Sequence, residues 1–122
     1  MTIGTKVLDR RVAVLDLSGR LDVESANTLR ESVAAVLATG ARQVVLNLIG
    51  VTDLDAAGLG ELAHSLNSVR AAGGELRLVV RSPSVQELLA RTHLLEVFTV
   101  DADISSLEPF VVPGEYALAQ QP

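Results

Sequence analysis

The sequence predicts a single α/β domain. Its sheet is mixed and mainly parallel, of about five strands, opened by an N-terminal antiparallel hairpin and accompanied by about four helices. Three observations predict it. The hydrophobic period alternates along the chain between that of strands and that of helices. The run Val44-Val45-Leu46-Asn47-Leu48-Ile49 is nearly continuous apolar sequence between two amphipathic stretches, the pattern of a strand buried on both faces. At 122 residues the chain is long enough for one domain with its own core. Residues 1–112 are expected to form that domain and residues 113–122 a tail without periodicity.

Ile3–Leu8 and Val12–Leu17 read as two strands rich in branched residues. The short polar link Asp9-Arg10-Arg11 makes them a hairpin. Ser18-Gly19-Arg20 breaks the pattern, and from Asp22 the period changes. Val23, Ala26, Leu29, Val33 and Val36 mark one face of a helix that Asp22 caps and Gly40 ends. After the Val44–Ile49 strand, Gly50–Leu54 is expected to be a loop. Leu59, Leu62, Leu66 and Val69 line a second helix that stops at Gly73-Gly74. Leu76–Val80 is a strand; Ser82-Pro83 then starts a third helix, with Ser as cap and Pro at its first position. Val85, Leu88 and Leu89 form its inner face, and Val97–Val100 is a short last strand. Ile104, Leu107 and Val111 suggest a weak final helix interrupted by Pro109.

Composition narrows the function. Ten basic against 15 acidic residues give a net charge of −5, and the pI is near 4.9. Nucleic-acid binders usually carry a basic face, and two Phe with one Tyr offer few stacking platforms. The absence of Cys excludes thiol catalysis and disulfides. Mean hydropathy is +0.36, yet charges interrupt every apolar stretch before it reaches the roughly 20 residues of a spanning helix. The N-terminus also lacks the apolar run of a signal peptide. The expectation is a cytoplasmic protein without membrane insertion.

The most informative segment is Gly50-Val51-Thr52-Asp53-Leu54-Asp55-Ala56-Ala57-Gly58-Leu59-Gly60, where the central strand enters the second helix. Asp55 is placed to cap the helix. Glycines at 58 and 60 each cost about 1 kcal/mol relative to Ala in a helix, so either close packing on the sheet or close approach of another surface must justify them. The segment holds two Asp and no Lys or Arg, which disfavours a nucleotide phosphate there despite the helix N-terminus. The two histidines, His64 and His93, read as surface or half-buried residues rather than bases, and no spacing suggests a metal. Arg20 suits either a solvated turn or an acidic partner, and Arg30 and Glu31 suit a solvated helix face.

These residues carry a resemblance. The chain resembles a STAS domain of the bacterial anti-sigma factor antagonist type from about Val7 to about Leu107. Leu15-Asp-Leu-Ser-Gly-Arg-Leu-Asp22 is similar to the family's second strand and its Gly-x-Leu-Asp turn. Val44–Gly60 is similar to the central strand and its Asp-Ser-[Ser/Ala]-Gly-Leu loop. Leu88–Phe98 is similar to the third helix leading into the last strand.

The resemblance implies a non-enzymatic protein-binding module without a cofactor. Such proteins bind an anti-sigma factor, often a kinase-like ATPase that phosphorylates the loop, and so release a sigma factor and regulate transcription. The implied partner surface is Thr52, Asp55, Ala56, Ala57, Gly58 and Leu59, with Asp22 either a helix cap or a neighbouring contact. The sequence departs from the family where phosphate would be accepted: Ala56 and Ala57 carry no hydroxyl. Phosphorylation there is excluded, and Thr52 is the nearest alternative. The other readings are a STAS scaffold or accessory subunit, in a stress-signalling complex or with a lipid-transport ATPase, and a small-molecule-binding α/β domain. Other STAS proteins or a second copy are further partners; Phe110-Val-Val could dock on such a neighbour or cover its own sheet.

Overall fold

A computed structural model describes residues 1–8, 11–92 and 99–101. The elements are β1 (Thr2–Val7), β2 (Val12–Leu21), α1 (Val23–Ala38), β3 (Gln43–Leu54), α2 (Ala56–Ala71), β4 (Glu75–Val79), α3 (Pro83–Arg91) and β5 (Thr99–Asp101). The expected final helix at Ile104–Val111, the Phe110-Val-Val segment and the tail lie outside the described residues.

The five strands form one sheet in the order β1-β2-β3-β4-β5. β1 runs antiparallel to β2, and every other neighbouring pair is parallel. Each parallel step moves one strand over in the same direction. Right-handed crossovers therefore place successive helices on one face. Packing shows this: Leu29, Val33 and Val36 of α1, Leu62, Leu66 and Val69 of α2, and Val85 and Leu89 of α3 share one cluster. From the sheet it takes Leu15, Leu17, Leu46, Leu48 and Leu78. The alternate residues Val12, Val14, Val45 and Val79 form a second, smaller cluster on the other face. β3 is thus buried on both sides, which is why its sequence lacks the alternation of a half-exposed strand.

Most strand boundaries lie within a residue or two of the sequence reading, but two strands run well past it. β2 continues through Ser18-Gly19-Arg20 to Leu21, and β3 continues through the expected loop to Leu54. The two strands stay paired, Ser18 with Gly50 and Leu21 with Leu54, across register shifts at Asp16/Ser18 and Gly19/Arg20. Ladder bonds join backbones, so polar side chains do not end a strand, and a bulge absorbs the irregular residue. Gly19 is at φ 99°. A Cβ on Gly50 would lie 2.9 Å from Ser18 Cβ, so the strands approach closely there.

The inner face of α1 also differs. Val23 is 72% exposed, while Ser25 is buried. Ser25 Oγ donates to Arg20 O at 2.8 Å and accepts from the Asp22 N–H at 2.9 Å. The cap thus holds Ser25 inward and leaves Val23, at the first helical position, outward. In α3, Pro83 follows Ser82 as expected, but Ser82 makes no side-chain cap bond; its hydroxyl pairs with Ser84 Oγ at 2.9 Å.

Leu46 of β3 is fully buried in the cluster beneath the helices. Leu46→Ala is expected to lower the unfolding free energy by about 2–5 kcal/mol in urea titrations. Val23→Ala is expected to change it by less than about 0.5 kcal/mol, as exposed positions do. A large loss at Val23 would restore it to the core.

Candidate functional site

The carboxyl ends of β2 and β3 turn directly into α1 and α2. Leu21 and Leu54 are register partners and buried, and the Asp55 N–H donates to Leu21 O at 3.3 Å. The two helix N-termini therefore emerge side by side. Each is capped by an aspartate in extended conformation. Asp22 Oδ1 accepts from the N–H of Glu24 at 3.0 Å and of Ser25 at 3.2 Å. Asp55 Oδ1 accepts from the Gly58 N–H at 2.9 Å. These bonds satisfy amides that have no partner within the helix.

The two glycines of α2 do different things. A Cβ on Gly58 would overlap the carbonyl oxygen of Leu21 and press on Leu54 Cδ1. Gly58 is buried, and its missing side chain lets α2 sit on the end of β2. A Cβ on Gly60 would meet nothing within 4 Å, and Gly60 is exposed. Packing on the sheet explains the first glycine and not the second.

Of the residues singled out in the sequence, Thr52, Asp55 and Ala56 are exposed at this end, and Asp22 and Ala57 are half-buried. Leu59 packs on the core, half-buried. The exposed set is small-sided or acidic. Arg20 Nε lies 3.5 Å from Asp53 Oδ2, both largely exposed, across the β2–β3 pair, so part of the local acidic charge is offset. The hollow among Arg20, Asp22, Asp53 and Asp55 holds only about 20 Å³, too small for a metabolite. The Ser25 N–H is the main reason the Asp22 carboxyl sits below its usual pKa, with the Ser25 hydroxyl, the Glu24 N–H and Arg20 acting the same way against partial desolvation.

Sequence reasoning missed two features. Val23 supplies an exposed apolar side chain beside Asp22; its place at the first helical position after a cap was the available signal. Arg30 is not simply solvated. Its Nε donates to Glu61 Oε1 at 2.9 Å and its Nη2 to Oε2 at 3.2 Å, while the Glu61 side chain is 2% exposed. This two-pronged bond braces α1 against α2. The hydrogen bond to Glu61, and then the attraction of its charge, raise the Arg30 pKa above its ordinary value. Glu61 and Ser65, four residues apart on one helix face turned toward α1, were the available signal. His64 is exposed, with Nε2 3.4 Å from Ser68 Oγ. His93 lies outside the described residues, and among the described residues no group of three potential metal ligands occurs.

The STAS domain family model matches residues 5–107. An anti-sigma F factor antagonist of Paenibacillus polymyxa is 26% identical over 100 residues, spanning 80% of this chain and 86% of that protein. The crystal structure of a putative anti-sigma factor antagonist from Thermotoga maritima superimposes with a TM-score of 0.78 at 27% identity, over 85% of this chain and 89% of that one. An anti-sigma factor antagonist from Mycobacterium paratuberculosis gives 0.77 at 26% identity, over 86% and 88%.

Replacing each glycine by Ala separates their roles. Gly58→Ala is expected to destabilise by more than about 1 kcal/mol through overlap with Leu21. Gly60→Ala is expected to stabilise, by up to about 1 kcal/mol. Thermal or urea unfolding reads both, and equal effects would refute the distinction. Asp22 has a lowered folded-state pKa, so its contribution is present above the unfolded value and lost as pH falls through the folded one. Asp22→Asn keeps the cap acceptor without the titration. Its stability is expected to fall less steeply below about pH 4 than that of the wild type; superimposable acid profiles would contradict this.

Proposed function

From the premise that this chain belongs to the STAS domain family, we propose that it is an anti-sigma factor antagonist that acts by binding and not by catalysis. It captures a kinase-like anti-sigma factor in the cytoplasm and frees the sigma factor that partner held. The observation that carries this reading is the paired, aspartate-capped start of α1 and α2, with Thr52, Asp55 and Ala56 exposed. The antagonists from Paenibacillus polymyxa, Thermotoga maritima and Mycobacterium paratuberculosis support it by their likeness to this chain.

The physical logic is a surface without bulk. Ala56, Ala57 and Gly60 leave little side chain at the start of α2, so a partner can approach the helix backbone. Asp22 and Asp55 have their carboxylates engaged in caps, which fixes their positions for a cationic contact on the partner. Val23 adds an apolar contact at the rim. A phosphate in this loop would add about −1.5 to −2 charges beside Asp55 and block close docking. With Ala at 56 and 57, the complex is not broken by phosphorylation at those positions; its extent follows from protein abundance.

The Ala residues also favour a second reading, a STAS scaffold or accessory subunit whose partner is not a kinase. Affinity capture from the native lysate, with intact-mass analysis of the native chain, separates the two. Recovery of a kinase-like anti-sigma factor with unmodified chain supports the proposal. Recovery of other STAS proteins or a transporter ATPase supports the second reading. An added phosphate would shift attention to Thr52. With a captured anti-sigma factor, Asp55→Lys is expected to weaken binding at least about tenfold, or about 1.4 kcal/mol, while the thermal melt stays cooperative. Ala56→Ser is expected to gain about 80 Da, one phosphate, on incubation with that partner and ATP, where the wild type gains none. Wild-type affinity in Asp55→Lys would place the interface elsewhere.

A further inference from the structure

We propose that this chain self-associates through the outer edge of β1, pairing antiparallel with β1 of a second copy to make one continuous sheet. β1 ends the strand order and pairs only with β2 among the described residues. The direction of its free backbone groups follows from the hairpin. The Leu8 N–H donates to Val12 O at 2.9 Å, so Leu8 and Val12 form a hydrogen-bonded pair. Antiparallel residues alternate between bonded and non-bonded pairs. Lys6, Gly4 and Thr2 therefore point their backbone groups at β2, and Val7, Thr5 and Ile3 point theirs outward.

The same three residues sit opposite Ala13, Leu15 and Leu17, which face the helices. Outward hydrogen bonding and one sheet face thus coincide in Ile3, Thr5 and Val7. A two-fold axis through Thr5 matches these sets. Thr5 meets Thr5 of the second copy, Ile3 meets its Val7, and Val7 meets its Ile3. All three positions form bonded pairs, and the helix faces of both copies lie on one side. The side chains fit as well. Branched residues and threonines make favourable cross-strand pairs. Lys6 falls opposite Gly4, so no like charges face each other, and its Nζ lies 3.6 Å from Asp16 Oδ2 on its own sheet. β1 lacks Pro, a usual guard of an edge, and its one charged side chain, Lys6, lies on the face opposite Ile3, Thr5 and Val7 beside Asp16. Val7 is 55% exposed.

The helix above permits the approach. Thr28 of α1 lines a hollow with Met1 and Gly19, so this flank faces the β1 side; Ser32 and Ala35 follow it at helical spacing. All are small. In this arrangement the ends of β2 and β3 stay open, and the two candidate partner sites point in opposite directions.

The test uses the full chain in sedimentation equilibrium over rising concentration. The wild type is expected to pass from 12.9 kDa toward twice that mass. Thr5→Arg and Thr5→Glu, which place like charges together on the axis, are each expected to weaken association at least tenfold. An equimolar mixture of the two is expected to restore it, because the charges then pair. Thr5→Pro gives an independent check, since it removes only an outward N–H, as edge strands tolerate. Circular dichroism melts confirm that each variant folds. A wild type that stays at monomer mass up to about 1 mM overturns the proposal. So does association that survives Thr5→Arg and Thr5→Pro, or a charge-swapped mixture that fails to associate.

Discussion

The parallel pairing of β2 with β3, carried to Leu21 and Leu54, is the constraint on which the rest of the structure depends. It brings two strand ends level, so two helices start side by side. It also presents Leu21 O to both the Asp55 N–H and the missing side chain of Gly58. Had β2 stopped at Leu17, α2 would have nothing to lean on at its first turn. The irregular register through Ser18, Gly19 and Gly50 is what lets the pairing run so far.

That constraint separates support from contact within one short motif. Gly58 and Leu59 face the sheet and core, while Asp55 and Ala56 face solvent. Substituting the supporting residues changes where the helix sits, and substituting the exposed ones changes what can dock. The Arg30–Glu61 brace acts on the same geometry from mid-helix, holding α1 against α2. Because Glu61 is buried, removing Arg30 alone would leave a desolvated carboxylate, a costly state.

The sheet's edges differ in chemistry. Its carboxyl-end rim exposes acidic and small side chains, Asp55 and Ala56 among them. Its β1 side carries the branched residues Ile3, Thr5 and Val7, with Lys6 held beside Asp16 on the other face, the surface proposed to meet a second copy. The hollow beside Met1 and Thr28 reaches Asp22, so the two surfaces adjoin at the start of α1, while Asp55 and Ala56 lie beyond it at the start of α2.

Much of this was legible in the sequence. Periodicity alone located the hairpin and three helices, because burial of one face is written every second residue in strands and every third or fourth in helices. The caps Asp22 and Asp55 and the stop at Gly40 were legible too, since such signals are local. The absence of a hydroxyl at positions 56 and 57 needs no coordinates at all. What only the tertiary structure decided involves residues distant along the chain. The extension of β2 and β3 is a property of backbone pairing, which polar side chains hide. Whether Gly58 or Gly60 serves packing depends on where Leu21 O lies, 37 positions earlier for Gly58. The exposure of Val23 and the burial of Glu61 are likewise set by what faces them, because composition records a side chain's nature and only packing assigns its neighbour.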